Sequence, residues 1–156
     1  MELSSIELDP IDRSIIAELQ RDGRMSYAEL GPIVGLSAAA VRPRVQRLIE
    51  SGLVRVVGVT DPQAMGYPTM AMLGIQVDSD TRVVADQIAD VPGVIYVVFS
   101  SGEFDLLVEV ICVDPQDLLN VVNAHVKAIA GVRRVESFMY LGIHTHRFGW
   151  DPKVPS

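Results

Sequence analysis

SAAAVRPRVQRLIESG, residues 37 to 52, is the stretch whose periodicity decides the fold. Wound as a helix it places Val41, Val45, Leu48 and Ile49 on one stripe, the i, i+4, i+7, i+8 pattern of a buried seam. The opposite arc carries Ala39, Arg42, Pro43, Gln46 and Arg47. Small residues in a first turn let the backbone approach a surface closely, and Arg and Gln side chains donate to base edges or phosphate oxygens. That arc therefore suits a helix lying in a DNA groove. The same pattern also describes a core helix with a solvated arginine face, and the flanking sequence has to separate the two.

Upstream, Asp9-Pro10-Ile11-Asp12 reads as a helix start, with Asp9 as N-cap, Pro10 at the first helical position and an acid in the first turn. Ile15, Ile16 and Leu19 form its apolar stripe, and Gly23 is expected to close it. Ser26-Tyr27-Ala28-Glu29 is a capping box that opens a short second helix ending near Val34. Gly35-Leu36-Ser37 is then a tight turn whose serine caps the third helix. Two short helices joined by such a turn, held by a preceding helix, form a helix-turn-helix, in which the second of the pair reads the groove.

Charge refines this picture. The chain of 156 residues has a formal net charge of -7 and a pI near 4.8, which argues against binding nucleic acid through overall charge. Locally the balance reverses: between Ser37 and Arg55 there are four arginines (Arg42, Arg44, Arg47, Arg55) against the single acid Glu50. With 49% apolar residues the chain is rich enough for packed cores. Its one cysteine, Cys112, forms no internal disulfide and fits a reducing compartment. The N-terminus lacks the basic and apolar pattern of a signal peptide, and no apolar run approaches the ~18 residues of a membrane span. A cytoplasmic protein without membrane association is expected.

Gly52 closes the third helix, and Leu53 to Val59 (LVRVVGV) is β-branched, giving either a wing or an exit strand. Asp61-Pro62 and Met65-Gly66-Tyr67-Pro68 then punctuate the chain. The expected organisation is a helix-turn-helix domain over 1–61, a hinge over 62–68 and a second domain over 69–156. In that second domain strands at Thr69–Val77, Val94–Ser100, Asp105–Val113 and Val132–Leu141 alternate with helices at Asp80–Asp90 and Asp114–Ala130. The order βαββαβ is that of a ferredoxin-like unit, so the fold class is α+β: a winged-type helix-turn-helix followed by a ferredoxin-like domain. Ala71, Leu73, Ile75 and Val77 alternate with Met70, Met72 and Gly74, while Leu106, Val108, Val110 and Cys112 alternate with Leu107, Ile111 and Val113. Both faces of the sheet are apolar, yet the topology puts its helices on one face only. A second copy packed sheet to sheet is the expected cover.

Taken together, Leu8-Asp9-x-x-Asp12, Asp22-Gly23-Arg24, Gly35-Leu36-Ser37, Val41-x-x-Arg44-Val45-x-x-Leu48, Gly52-Leu53-Val54 and the hairpin Gly102-Glu103-Phe104-Asp105 resemble the Lrp/AsnC family, the feast/famine regulators of prokaryotes, over essentially the whole chain. The resemblance implies a transcriptional regulator that binds double-stranded DNA and carries a C-terminal module for oligomerisation and effector binding. It further implies dimers on pseudo-palindromic sites, octamers built from them, and a small effector, usually an amino acid, rather than a resident cofactor. One departure is Pro43, which removes the amide that would bond the Ala39 carbonyl and is expected to bend or loosen the reading helix.

Candidate DNA contacts follow. Arg42 and Gln46 face bases, Arg44 and Arg47 meet phosphates, Ser37 and the helix N-terminus hold a further phosphate, and Ala39 permits close approach. Arg44 flanks the apolar stripe, so pairing with an acid of the first helix is its alternative. For the effector, the resemblance points to Ser100, Ser101, Gly102, Glu103, Phe104 and Asp105. Exposed glycine amides suit an α-carboxylate, Glu103 or Asp105 suits an α-ammonium, and the serine hydroxyls add hydrogen bonds. An ordinary hairpin turn explains the same residue types. His144-x-His146 has no third ligand in sequence, so no metal site is expected, and His125 reads as an ordinary amphipathic position. No Ser/His/Asp order, CxxC or phosphate loop is present. Siroheme decarboxylases resemble the same two-domain family, with His144, His146 and Arg147 imaginable around a tetrapyrrole, which makes such an enzyme the alternative to a regulator. A nucleoid-type architectural role fits the low overall charge less well.

Overall fold

A computed structural model describes residues 7–145, and the described chain divides into two compact units between Val59 and Thr60.

The first unit holds three helices, α1 (Pro10–Arg21), α2 (Tyr27–Val34) and α3 (Ala38–Glu50). Each starts where a short polar side chain takes up an orphan amide: Asp9 accepts from the Asp12 N–H, Ser26 from that of Glu29 and Ser37 from that of Ala40. Both Asp9 and Ser26 form complete capping boxes. Helix α1 ends at Arg21 rather than at Gly23; the extended Asp22 caps it and turns its carboxylate to the Arg24 N–H at 2.9 Å. Ile15, Leu30, Val41, Val45 and Leu48 form the core. Ile49, expected on the buried stripe, is 43% exposed, so three positions of α3 carry its packing. Helix α3 runs unbroken through Pro43, whose ring lies on the exposed arc.

Leu53 to Val59 forms no strand, which corrects the expected wing or exit strand. These residues instead run along α1 and bound a groove of about 340 Å³ with Ile16, Leu19 and Gly23. Val54 alone of the segment is half-buried, packing on the helical core and donating its N–H to the Leu48 carbonyl at 3.0 Å, while a Val56 methyl faces Gly23; a partner strand is absent among the described residues.

The second unit follows the order β1 (Thr69–Val77), α4 (Thr81–Ala89), β2 (Val94–Phe99), β3 (Leu106–Cys112), α5 (Pro115–Asn120) and β4 (Val132–Met139). All strand pairs are antiparallel, in spatial order β2-β3-β1-β4. Asp114 caps α5 through the Asp117 N–H at 2.8 Å, with Pro115 at the first helical position. The long regular helix expected to Ala130 is not formed: after Asn120 the chain widens into a π-helical stretch, Val121–Val126, that buries Val126 and leaves His125 exposed.

Alternation is strict in β3, whereas β1 also buries Met70 and Gly74 of its outer face. Ala71, Leu73, Ile75, Leu106, Val108, Val110 and Cys112 are fully covered by α4 and α5. On the other face Met72, Leu107 and Ile111 remain half-buried, and Tyr96 and Phe138 are exposed. Among the described residues, no helix is long and apolar enough to cross a membrane.

Candidate functional site

The turn between α2 and α3 is built on a close approach. Gly31 is buried, and a Cβ there would lie 2.6 Å from the Leu36 carbonyl oxygen. The Leu36 N–H returns to the Gly31 carbonyl at 2.9 Å. Only glycine lets α2 sit this close to the entry of α3, and that contact sets the angle between the two helices.

Helix α3 then presents Ser37, Ala39, Arg42, Pro43 and Gln46 to solvent. Arg42 and Gln46 have no side-chain partner among the described residues. Arg44 and Arg47 do. Arg44 Nη1 donates to Asp9 Oδ2 at 2.6 Å and to Asp12 Oδ1 at 2.8 Å. Arg47 Nη2 donates to Asp12 Oδ2. Asp12 is 1% exposed, and a carboxylate that deep must be compensated by charge and hydrogen bonds. The Asp12 N–H, then Arg44, holds the Asp9 carboxyl below its ordinary value, and Asp9 first and Asp12 second raise the guanidinium of Arg44. For Arg44 the first-helix acid is thus the observed partner. Ser37 likewise spends its hydroxyl oxygen on the Ala40 amide at 3.3 Å.

The hairpin between β2 and β3 is tied to the sheet rather than free. Ser100 N–H donates to the Asp105 carbonyl at 2.9 Å, and Asp105 N–H donates to the Ile75 carbonyl at 2.9 Å. The Asp105 carboxylate accepts from the Val77 N–H at 2.8 Å. Asp105 is therefore committed to the scaffold, which leaves Glu103 as the exposed carboxylate of the hairpin. Ser101 and Gly102 are exposed beside it, with Ser100 half-buried.

Around Phe104, residues outside the expected set, Phe138, Gln76 and Arg133, complete this region. The Phe104 ring covers Gly74, where a Cβ would stand 2.7 Å from the ring, and meets Phe138 edge to face at 6.0 Å. A glycine inside an apolar strand is the available signal for such a seat. Gln76 Nε2 donates to the Glu103 carbonyl at 2.9 Å, and Arg133 donates to Gln76 Oε1 at 2.7 Å. Arg133 is the extra residue of a bulge in β4, since Gln76 pairs with Arg134 and Val77 with Val132. Nothing in the sequence marks that bulge.

His144 is exposed, while His146 and Arg147 lie outside the described residues. Among the described residues no group of three or more His, Cys, Asp or Glu side chains is placed to hold a metal.

A reading helix on a tri-helical unit, followed by a ferredoxin-like unit with a tethered hairpin, defines a two-domain regulator. Residues 8–49 match the AsnC-type helix-turn-helix domain, and residues 70–148 match the Lrp/AsnC ligand binding domain. The chain belongs to the Lrp/AsnC family of transcriptional regulators. It is 31% identical over 139 residues to the HTH-type transcriptional regulator FL11 of Pyrococcus furiosus, covering 88% of this chain and 91% of that one. An HTH-type transcriptional regulator of Mycobacterium tuberculosis is 33% identical over 139 residues, covering 86% and 92%. Among solved structures, the leucine response regulatory protein of Mycobacterium tuberculosis aligns with a TM-score of 0.82 at 26% identity, over 93% of this chain and 100% of its own. A Neisseria meningitidis regulator in complex with L-Met aligns with a TM-score of 0.82 at 24% identity, over 91% and 95%. The protein is a regulator with a ligand-binding domain and not an enzyme, which sets aside the siroheme-decarboxylase alternative.

Proposed function

We propose that this regulator binds DNA sequence-specifically through α3, with Arg42 and Gln46 reading base edges, Ala39 allowing close approach and the Ser37 end of the helix meeting a phosphate. The observation that carries this reading is that Arg42 and Gln46 stand exposed and unpaired on the outer arc, while the neighbouring arginines are compensated. Footprinting of the purified protein across genomic DNA tests it. A defined operator whose affinity drops in Arg42→Ala supports the assignment, and unchanged affinity in both Arg42→Ala and Gln46→Ala removes it.

The effector is an amino acid held at the 100–105 hairpin, with the Gly102 amides on its α-carboxylate and Glu103 on its α-ammonium. Ser100 and Ser101 add hydrogen bonds, and Phe104 walls the site. A solved Neisseria meningitidis relative carrying L-Met supports this class of ligand. In a thermal-shift screen of the twenty amino acids, a ligand at ~100 times its dissociation constant adds ~2.7 kcal/mol. No shift with any of them removes the amino-acid reading.

The site lies at an interface between copies, in dimers and in octamers built from them. Met72, Leu107, Ile111 and Phe138 on the outer sheet face offer the apolar area such packing needs. Light scattering of the purified chain at a monomer mass would remove this part. No resident cofactor takes part, so exhaustive dialysis against chelator leaves operator binding intact.

A further inference from the structure

Asp12 is buried on α1, yet it pairs with two of the three arginines of α3. Asp9, Asp12, Arg44 and Arg47 form one cluster in which two carboxylates meet two guanidiniums and the net charge is zero. One oxygen of Asp12 takes Arg44, and the other takes Arg47 with only a 3.3 Å contact from the Asp9 amide beside it. Moving Arg47 to a DNA phosphate would leave that oxygen almost unpartnered at a site only 1% open to water. An uncompensated buried charge costs more than a solvent-exposed ion pair returns. Arg47 is 49% exposed, so its position beside the reading surface is not what keeps it from phosphate; its partner is.

We propose, resting on the DNA-binding role of α3, that Asp12 is a positioning residue that withholds Arg47 from the phosphate backbone, so lowering sequence-independent affinity, and leaves Arg42 as the uncompensated arginine of the reading helix. Phosphate contacts supply sequence-independent affinity through counterion release, whereas base contacts discriminate. Cancelling one guanidinium on the reading face therefore lowers affinity for every sequence by about the same factor, and base contacts supply a larger share of what remains. In a chain of net charge -7 the sequence-independent attraction is correspondingly smaller.

The test needs no knowledge of the operator. Binding of the full-length protein and its variants to a duplex of random sequence is measured across a salt series. Asp12→Asn keeps the side-chain shape and removes the charge. It is expected to bind random duplex several-fold more tightly, with a salt slope steeper by about 0.9 for the one phosphate Arg47 then neutralises. Asp12→Asn combined with Arg47→Ala is expected to return to the wild-type slope. Arg47→Ala alone leaves the buried carboxylate with Arg44, so it decides the matter even where Asp12→Asn fails to fold. Its slope is expected to equal that of wild type, and a slope shallower by about 0.9 overturns the proposal while leaving DNA binding in place. Absence of binding to any duplex at low salt removes the DNA-binding role itself, and this proposal with it.

Discussion

Ile15, Leu30, Val41, Val45 and Leu48 are the buried core of the helical unit, whereas the sheet unit gathers fourteen apolar side chains between its sheet and helices. The helical unit makes up the difference with specific contacts: a four-charge cluster joining α1 to α3, and a glycine that admits a neighbouring carbonyl. The sheet unit shows no buried charge cluster of that kind among its described residues, because the apolar inner face of its two central strands is already covered. A unit that must leave one helix face open for recognition has little area with which to fix that helix, so direction-dependent contacts take over.

The largest expected effect probes the area-rich side. Leu73→Ala removes a fully buried side chain from the middle of β1 and is expected to cost ~2–5 kcal/mol, read by chemical denaturation. On the contact-dependent side, Gly31→Ala forces a methyl against the Leu36 carbonyl, at an expected cost of ~1–3 kcal/mol. Hydrogen exchange should localise that loss to α2 and α3, with DNA binding abolished and the sheet amides still protected. Equal loss of protection in both units would contradict the division drawn here. Gly74→Ala displaces Phe104 from its seat on β1. The sheet is expected to persist while any amino-acid thermal shift is lost, and a retained shift would separate the hairpin from effector binding.

Acid gives the smallest and most graded effect. Because folding depresses the Asp9 carboxyl, its contribution is fully present at neutral pH. It declines as pH drops below the ordinary carboxylate value and is gone once pH falls through the depressed folded value. Amide exchange in α1 and α3 should therefore rise on acidification before that in β1 and β3. The reverse order would show that the charge cluster does not set the stability of the helical unit.

Much of this was legible because it is local. Asp9, Ser26, Ser37 and Asp114 announce helix starts through residues three positions away, and the alternation of β1 and β3 assigns inner and outer faces. What escaped is non-local. Arg44 flanks the apolar stripe, which offers its pairing with the first helix as an alternative, but Arg47 meets Asp12 across 35 residues from the outer arc, and no spacing rule marks that arginine as compensated. Ile49 obeys the helical period but falls where no neighbour covers it. Leu53 to Val59 has the composition of a strand and no partner backbone among the described residues. At the hairpin, Glu103 and Asp105 looked interchangeable as carboxylates; only the Val77 amide distinguishes the one that holds the loop from the one that is exposed.

The two outermost strands share one irregularity. Ile95 is an extra residue in β2 between positions paired with Val110 and Glu109, and Arg133 is an extra residue in β4. Each bulge breaks the even run of amides and carbonyls that an incoming strand would template on, and local twist carries the edge away from a newcomer. A freshly synthesised chain crowded among its siblings is thus protected against runaway fibre growth along the sheet, while its broad face stays available. The sheet-face packing proposed above then meets no competing route along the edges.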